Sequence, residues 1–249
     1  GIWLDKSCIQ FFHSTVAPHI LEFYPTVGVT RDVNSKPDFE LYALRGLLSV
    51  RYTLVPLDEL NNWQELALEG WTLADEVGSY QIYENDNYVP MGFAYRYYIT
   101  QEQFESVPED ERGNILMRAV LLDEEQIARY SDILSPLPDT SLADRGYDDY
   151  VQDCSDRRAA GVMEFAATRT GFTAVTDYDS DQLVFFSVPY DDGFTATVNG
   201  QAARIEKVDN GLMAVRVPAG HAEIVFTYRT PGLDVGLAVT LTGLAAYAL

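Results

Sequence analysis

Residues 183–200 read LVFFSVPYDDGFTATVNG. The first six form a near-continuous apolar run, as expected of a central strand. The run that follows alternates, with Phe194, Ala196 and Val198 on one side. It ends in Asn199-Gly200, the strongest short hairpin signal, because a type I′ turn needs positive φ at both central residues. Outward from there, Asn210-Gly211 and Ala219-Gly220 repeat the punctuation at intervals of about ten residues. Between them lie Leu212, Ala214, Val215 and Val217, then Ile224, Val225, Phe226 and Tyr228. Short strands and turns at this spacing predict an antiparallel β-sandwich or jelly roll.

Upstream the pattern is mixed. Ile20, Leu21, Phe23 and Tyr24 fit a short helix ending before Pro25, and residues 41–48 also read as helical. Residues 49–55 alternate as a strand stopped by Pro56. Residues 71–83 read as two strands joined near Gly78-Ser79, and residues 93–99 as one strand with four aromatics. Thr100, with Gln103 three positions on, marks the N-cap of a polar helical stretch reaching Arg118. Residues 123–130 read as a further turn or two of helix, and residues 135–158 as a loop or boundary. The expected fold is α+β: a mixed α/β half over 1–150, then an antiparallel, jelly-roll-like β-sandwich over 151–232.

Composition excludes several classes. With 47% apolar and 22% charged residues, the chain is neither disordered nor collagenous nor a coiled coil. Its 17 basic and 38 acidic residues give a net charge of −21, which repels phosphate backbones and argues against nucleic acid as a partner. Two cysteines, Cys8 and Cys154, are too few for a disulfide-dense scaffold or a Cys-rich zinc module.

The motifs assign no catalytic, cofactor-binding or metal-binding residue. His13, His19 and His221 are scattered, and the first two are not at the i, i+4 spacing of one helix face. Asp177, Asp179 and Asp181 have the spacing of a calcium loop. Gln182 stands where that loop needs Gly, however, and Val188 where it needs Glu, so the segment reads as a polar hairpin turn. Asp148, Asp149, Asp153 and Asp156, with Arg145, Arg157 and Arg158, read as a solvated, salt-bridged loop. The 16 tyrosines and Trp3, Trp63 and Trp71 read chiefly as core and cross-strand partners, although exposed aromatic platforms would stack on sugars. Nucleophile-elbow, P-loop and dinucleotide-binding motifs do not occur.

The C-terminal stretch is distinctive. After Leu233-Asp234, the 15 residues 235–249 carry no charge. As a helix they would span roughly 22 Å, short of the roughly 30 Å hydrocarbon core of a bilayer. Residues 233–249 therefore read as the start of a transmembrane helix cut short. The opening Gly1-Ile2-Trp3, without an initiator Met or the pattern of a signal peptide, also suggests a piece of a longer chain.

The string from 183 to 236 resembles the C-terminal extracytoplasmic domain of the YfhO family of multi-spanning bacterial membrane proteins. Pro189, Tyr190, Gly193, Asn199, Gly200, Pro218, Gly220, Tyr228, Pro231 and Gly232 carry the resemblance. Phe194 and Leu212 depart from the family's usual Trp and Phe but remain apolar. The first half is similar too, through Phe12-His13-Ser14-Thr15-Val16, Leu21-Glu22-Phe23-Tyr24, Tyr83-Glu84-Asn85 and Val89-Pro90-Met91-Gly92-Phe93.

The resemblance implies a protein like the GT-C glycosyltransferases, which take sugar from a polyprenyl-phosphate donor outside the cytoplasm. The acceptor would be a cell-envelope glycan or polymer such as lipoteichoic acid. The catalytic carboxylate of that class usually lies in an early loop between membrane helices, which this stretch does not contain. The implied role is therefore an accessory domain on the extracytoplasmic face, inactive alone and without a cofactor of its own. It would be held at the membrane by flanking helices, with a partner glycosyltransferase as a further contact. A secreted carbohydrate-binding β-sandwich and a non-catalytic protein-interaction domain are the alternatives. In an extracytoplasmic setting, Cys8 and Cys154 could pair.

Overall fold

A computed structural model describes residues 18–30, 37–38, 40–66 and 69–247. Helix α1, Pro18–Thr26, starts with proline, whose fixed φ suits a first turn. It runs past Pro25 instead of ending before it. The lost N–H falls next to the helix end, and the Val27 and Val29 amides close on the Tyr24 carbonyl. Helix α2, Ala43–Leu47, is buried throughout. Ser49 at φ 54° then turns the chain. Strand β1, Tyr52–Pro56, helix α3, Leu60–Leu66, and strands β2, Trp71–Val77, and β3, Tyr80–Asn85, follow. The strands form a sheet in the order β1-β3-β2, with the hairpin at Gly78-Ser79 as the sequence suggested. Val55, Trp63 and Tyr83 make its small core.

The single strand expected over 93–99 is two strands in different sheets: β4, Phe93–Ala94, and β5, Tyr97–Ile99. Between them the buried Tyr95 hydroxyl donates to the Leu116 carbonyl at 2.5 Å. The helical stretch after Thr100 is also divided, at Pro108. Helix α4, Gln101–Glu105, gives way to a 3-10 turn, Glu109–Glu111, and helix α5, Arg112–Leu116. Strand β6, Ala119–Leu121, helix α6, Glu124–Tyr130, and strand β7, Ser135–Pro136, complete a small parallel sheet with β5 in the middle. Reciprocal capping boxes at Thr100–Gln103 and Asp123–Gln126 start α4 and α6 at the ends of β5 and β6.

The loop expected over 135–158 contains a 13-residue helix, α7, Tyr147–Ala159. The Gly146 amide donates to Asp149 Oδ2 at 3.0 Å. Asp148 and Asp149 lie in the first turn and Arg157 and Arg158 in the last, each matching the helix dipole. Tyr150, Asp153, Cys154 and Arg157 form its buried stripe, so two of the supposedly solvated charges are inside.

The C-terminal half is the expected sandwich. Eight strands follow α7: β8 Glu164–Thr168, β9 Gly171–Tyr178, β10 Gln182–Pro189, β11 Phe194–Val198, β12 Gln201–Ala203, β13 Ile205–Val208, β14 Leu212–Val217 and β15 Gly220–Tyr228. One sheet has the order β13-β14-β10-β4, the other β12-β11-β15-β9-β8. Val184, Phe186, Met213 and Val215 from the first meet Phe172, Ile224 and Phe226 from the second. The opposite side of the first sheet, through Leu183, Phe185, Leu212 and Ala214, packs into the core of the N-terminal half. The run 183–188 is apolar because most of it is buried on both faces.

Two turns differ from their sequence reading. Residues 177–181 do not join a hairpin: they carry the chain from β9 in one sheet to β10 in the other. Around Asn210-Gly211, the positive-φ pair is Asp209 (49°) and Asn210 (57°), one position earlier than expected. Gly211 is required sterically, since a Cβ there would lie 2.2 Å from the His19 carbonyl oxygen of α1. Position 150/151, where the halves were expected to divide, falls within α7, and β4 adds a strand from the first half to a sheet of the second. The last helix, α8, Leu233–Tyr247, has no buried residue. Among the described residues no helix is long and apolar enough to cross a membrane.

Candidate functional site

Four chain segments converge on a cavity of about 500 Å³, within the roughly 300–1,000 Å³ range of small-molecule sites. They are the turn after α1 at Gly28, the approach to α2 at 38–42, the 3-10 turn and α5 at Asp110, Glu111 and Asn114, and the lead into α7 at 143–146. A Cβ at Gly28 would come within 3.1 Å of the Asp110 backbone, so the glycine lets the α1 turn close against the 3-10 turn.

The wall is polar and negative. Asp38, Glu40, Asp110 and Glu111 contribute four carboxylates, and Arg145 one guanidinium. Arg145 bonds Glu111 and the Leu142 carbonyl, which leaves Asp38, Glu40 and Asp110 without an ion pair among the described residues. The Tyr42 hydroxyl donates to the Arg145 carbonyl at 2.9 Å. Tyr42 also packs edge-on against Tyr147 and Tyr150 of α7. Burial raises the Tyr42 pKa, so the phenol stays a neutral donor. Asn114 is only 7% exposed and its Oδ1 has no hydrogen-bond partner among the described residues. The segment with α4 and α5 was read as helical, but nothing in the sequence placed residues 38–42, 110–114 and 145 together, because their convergence is tertiary.

None of the residues singled out from the sequence lines this cavity except Arg145. Pro189, Tyr190 and Gly193 lie at the exit of β10: the Tyr190 amide donates to the Gly211 carbonyl, and the ring meets His19 edge-on at 5.4 Å. A Cβ at Gly193 would lie 2.5 Å from the Arg229 carbonyl oxygen. Asn199 and Gly200, at φ 52° and 75°, form the β11–β12 turn. Pro218 and Gly220 turn β14 into β15, Tyr228 packs on Phe194 at 4.9 Å, and Pro231-Gly232 leads into α8. These positions shape turns and sheet ends.

Cys154 is buried in α7, and burial pushes its thiol up to about 12. Cys8, Trp3 and His13 lie outside the described residues. Asp181 bonds Arg216 at 2.9 Å, and no three His, Cys, Asp or Glu side chains among the described residues are grouped to hold a metal ion.

Exposed large apolar side chains gather in two places, Met163 apart. One is α8, from Leu233 to Tyr247; the other is the β1-β3-β2 sheet with its adjoining turn, through Tyr52, Leu54, Leu57, Leu73, Val77 and Tyr80. Helix α8 is apolar on every side and carries no charge after Asp234. The model of the bacterial membrane protein YfhO matches residues 1–136 and 135–240, and the chain belongs to the YfhO family. No curated protein and no solved structure matches it.

Proposed function

We propose that this chain is the extracytoplasmic accessory domain of a multi-spanning membrane glycosyltransferase, and that it positions a cell-envelope acceptor for sugar transfer from a polyprenyl-phosphate donor. The observation that carries the reading is α8. It is uncharged after Asp234 and exposed on every side, as a helix is when its apolar surface is meant for lipid or for other membrane helices. The cavity at the α2, α5 and α7 ends supplies a concave polar surface for part of an acceptor. Its charge limits the choice of acceptor. A domain at −21 repels a polyanion at close range, although salt screens charges more than about 8 Å apart.

Fractionation of native cells with an antibody against the chain tests this reading. The expected result is a membrane-bound band several-fold heavier than 27.9 kDa that external protease degrades in spheroplasts. A soluble band near 27.9 kDa, or an epitope protected from external protease, overturns it. The isolated chain is expected to transfer no sugar.

The exposed β1-β3-β2 face favours a second reading, a protein-contact domain that docks a partner transferase. Substituting Leu54 and Val77 by Ser would then abolish co-purification of that partner from solubilised membranes while leaving the fold intact.

A further inference from the structure

The register of the β1-β3-β2 sheet sorts its side chains onto two faces. Val55 and Tyr83 face α3 and its small core. The outer face is a grid of three rows: Tyr52, Glu84 and Thr72; then Leu54, Ile82 and Asp75; then Pro56, Tyr80 and Val77. Six of these nine side chains are apolar or aromatic, and Tyr52, Leu54, Tyr80 and Val77 are between 43% and 56% exposed. Strands about 4.8 Å apart and rows about 7 Å apart make this a patch of roughly 300 Å².

The charge around the patch selects what can cover it. Residues 51–86 hold eight acidic residues and one base, Arg51, which places −7 of the total of −21 in 36 of the 249 positions. Arg51 pairs with Glu84 at 3.0 Å and lies over the Tyr52 ring, so that end of the face is neutralised from within. Asp75, beside Ile82, is exposed and has no ion pair among the described residues; its Oδ1 accepts the Glu76 amide. A second copy would set −7 against −7, over a contact well below the roughly 800 Å² that each partner of a stable pair buries. An anionic lipid surface or polymer is repelled, and a lipid interior would leave the Asp75 carboxylate unpaired in an apolar medium. A helix, about 10 Å across, covers the patch, and basic residues flanking its apolar stripe meet the acidic surround.

We propose that the outer face of β1-β3-β2 seats a basic amphipathic helix of a partner protein, with the apolar stripe of that helix over Leu54, Ile82, Tyr80 and Val77 and a Lys or Arg beside Asp75. The inference rests on the protein-contact reading of this face and gives the partner its chemistry. Apolar burial supplies the contact, and the acidic surround supplies the choice of partner.

Photocross-linking of the native protein in intact cells provides the test. The probe is benzoylphenylalanine in place of Leu54 or of Val77, with Thr195, exposed on the sandwich, as the control position. Irradiation is expected to give a heavier product from 54 and 77 and none from 195. Sequencing of the joined peptide is expected to place the link in a segment with apolar residues at i, i+3 or i+4 and i+7 and an excess of Lys and Arg. Reversing the charge by Asp58→Lys with Asp75→Lys should lower the yield from position 54 several-fold, and Asp75→Asn should lower it less. These substitutions alter exposed side chains, so an unchanged melting temperature certifies the fold. A link to a protein segment without that pattern or that charge, or a yield unaffected by charge reversal, overturns the inference and leaves the protein-contact reading standing. A link to lipid, a link to a second copy of the chain, an equal product from position 195, or no product at all overturns both.

Discussion

Asp209 is the residue at which the two halves of the protein are stitched together. It adopts φ 49° in the turn between β13 and β14, a conformation that Asp and Asn tolerate better than other side chains. Its amide donates to the Leu121 carbonyl at 3.2 Å, and its Oδ1 accepts the Leu121 amide at 2.7 Å, so one residue caps both groups of a strand end in the parallel sheet. Complete burial, with the hydrogen bond from Leu121 only partly opposing it, raises the carboxyl pKa to about 8. The folded chain therefore holds a proton that the unfolded chain releases near pH 4. Stability should fall as pH rises from about 4 to about 8, by about 1.4 kcal/mol per unit from this group, and level off above. Asp209→Asn keeps an acceptor for Leu121 and removes the titration. Urea unfolding at pH 7 should show the variant more stable by roughly 2–4 kcal/mol, with a flatter pH profile between 5 and 8. Equal stability at pH 5 and pH 8 in the parent chain would show that Asp209 is not titrating. Two positions further on, Gly211→Ala drives a Cβ into the His19 carbonyl. A loss of about 1–3 kcal/mol in the same assay is expected, because the backbone of α1 must give way.

Among the elements, α7 shows best where sequence reading succeeds and where it stops. Strands β11, β14 and β15 were legible because apolar side chains alternate between glycine turns, and β10 because its apolar run is near-continuous. The buried stripe of α7 has the helical spacing 150, 153, 154, 157, but Asp and Arg occupy two of the four places, so no apolar period is visible. What made the stripe buriable is supplied from afar. Arg118 grips Asp153 with bonds of 3.1 and 2.7 Å, and Arg157 donates to the Ala94 carbonyl while lying over the Tyr95 ring. The cavity was illegible for the same reason, since residues 42, 114 and 145 meet only after α2, α5 and α7 are placed. The dipole-matched charges at the two ends of α7 were the available signal. Removing one partner of the buried pair, by Asp153→Ala, leaves Arg118 uncompensated and should destabilise by about 3–5 kcal/mol. Replacing both, by Arg118→Met with Asp153→Leu, should recover most of that loss, and a double-mutant cycle from chemical denaturation measures it. An additive double variant would mean that the pair acts independently.

At the scale of the whole molecule, one half is buried against the other while α8 is buried against nothing. The sheet β13-β14-β10-β4 serves two cores at once, through Val184 and Phe186 on one side and Leu183 and Phe185 on the other. Residues 18–230 should therefore unfold in one cooperative step. The link to α8 is slight: the turn Thr230-Pro231-Gly232, with Gly232 at φ 77°, and an exposed ion pair between Arg229 and Asp234. Exposed pairs of this kind contribute about 0–1 kcal/mol. Ending the chain after Gly232 should therefore leave its unfolding free energy within about 1 kcal/mol of the parent. Seven large apolar side chains, from Leu233 to Tyr247, leave with the helix. The shortened chain should remain monomeric without detergent and should no longer float with neutral phosphatidylcholine vesicles in a density gradient, whereas the longer chain floats. Loss of cooperative unfolding on truncation would mean that α8 packs on the domain. Equal flotation of both chains would move the membrane contact to the other exposed apolar surface, the face of β1-β3-β2.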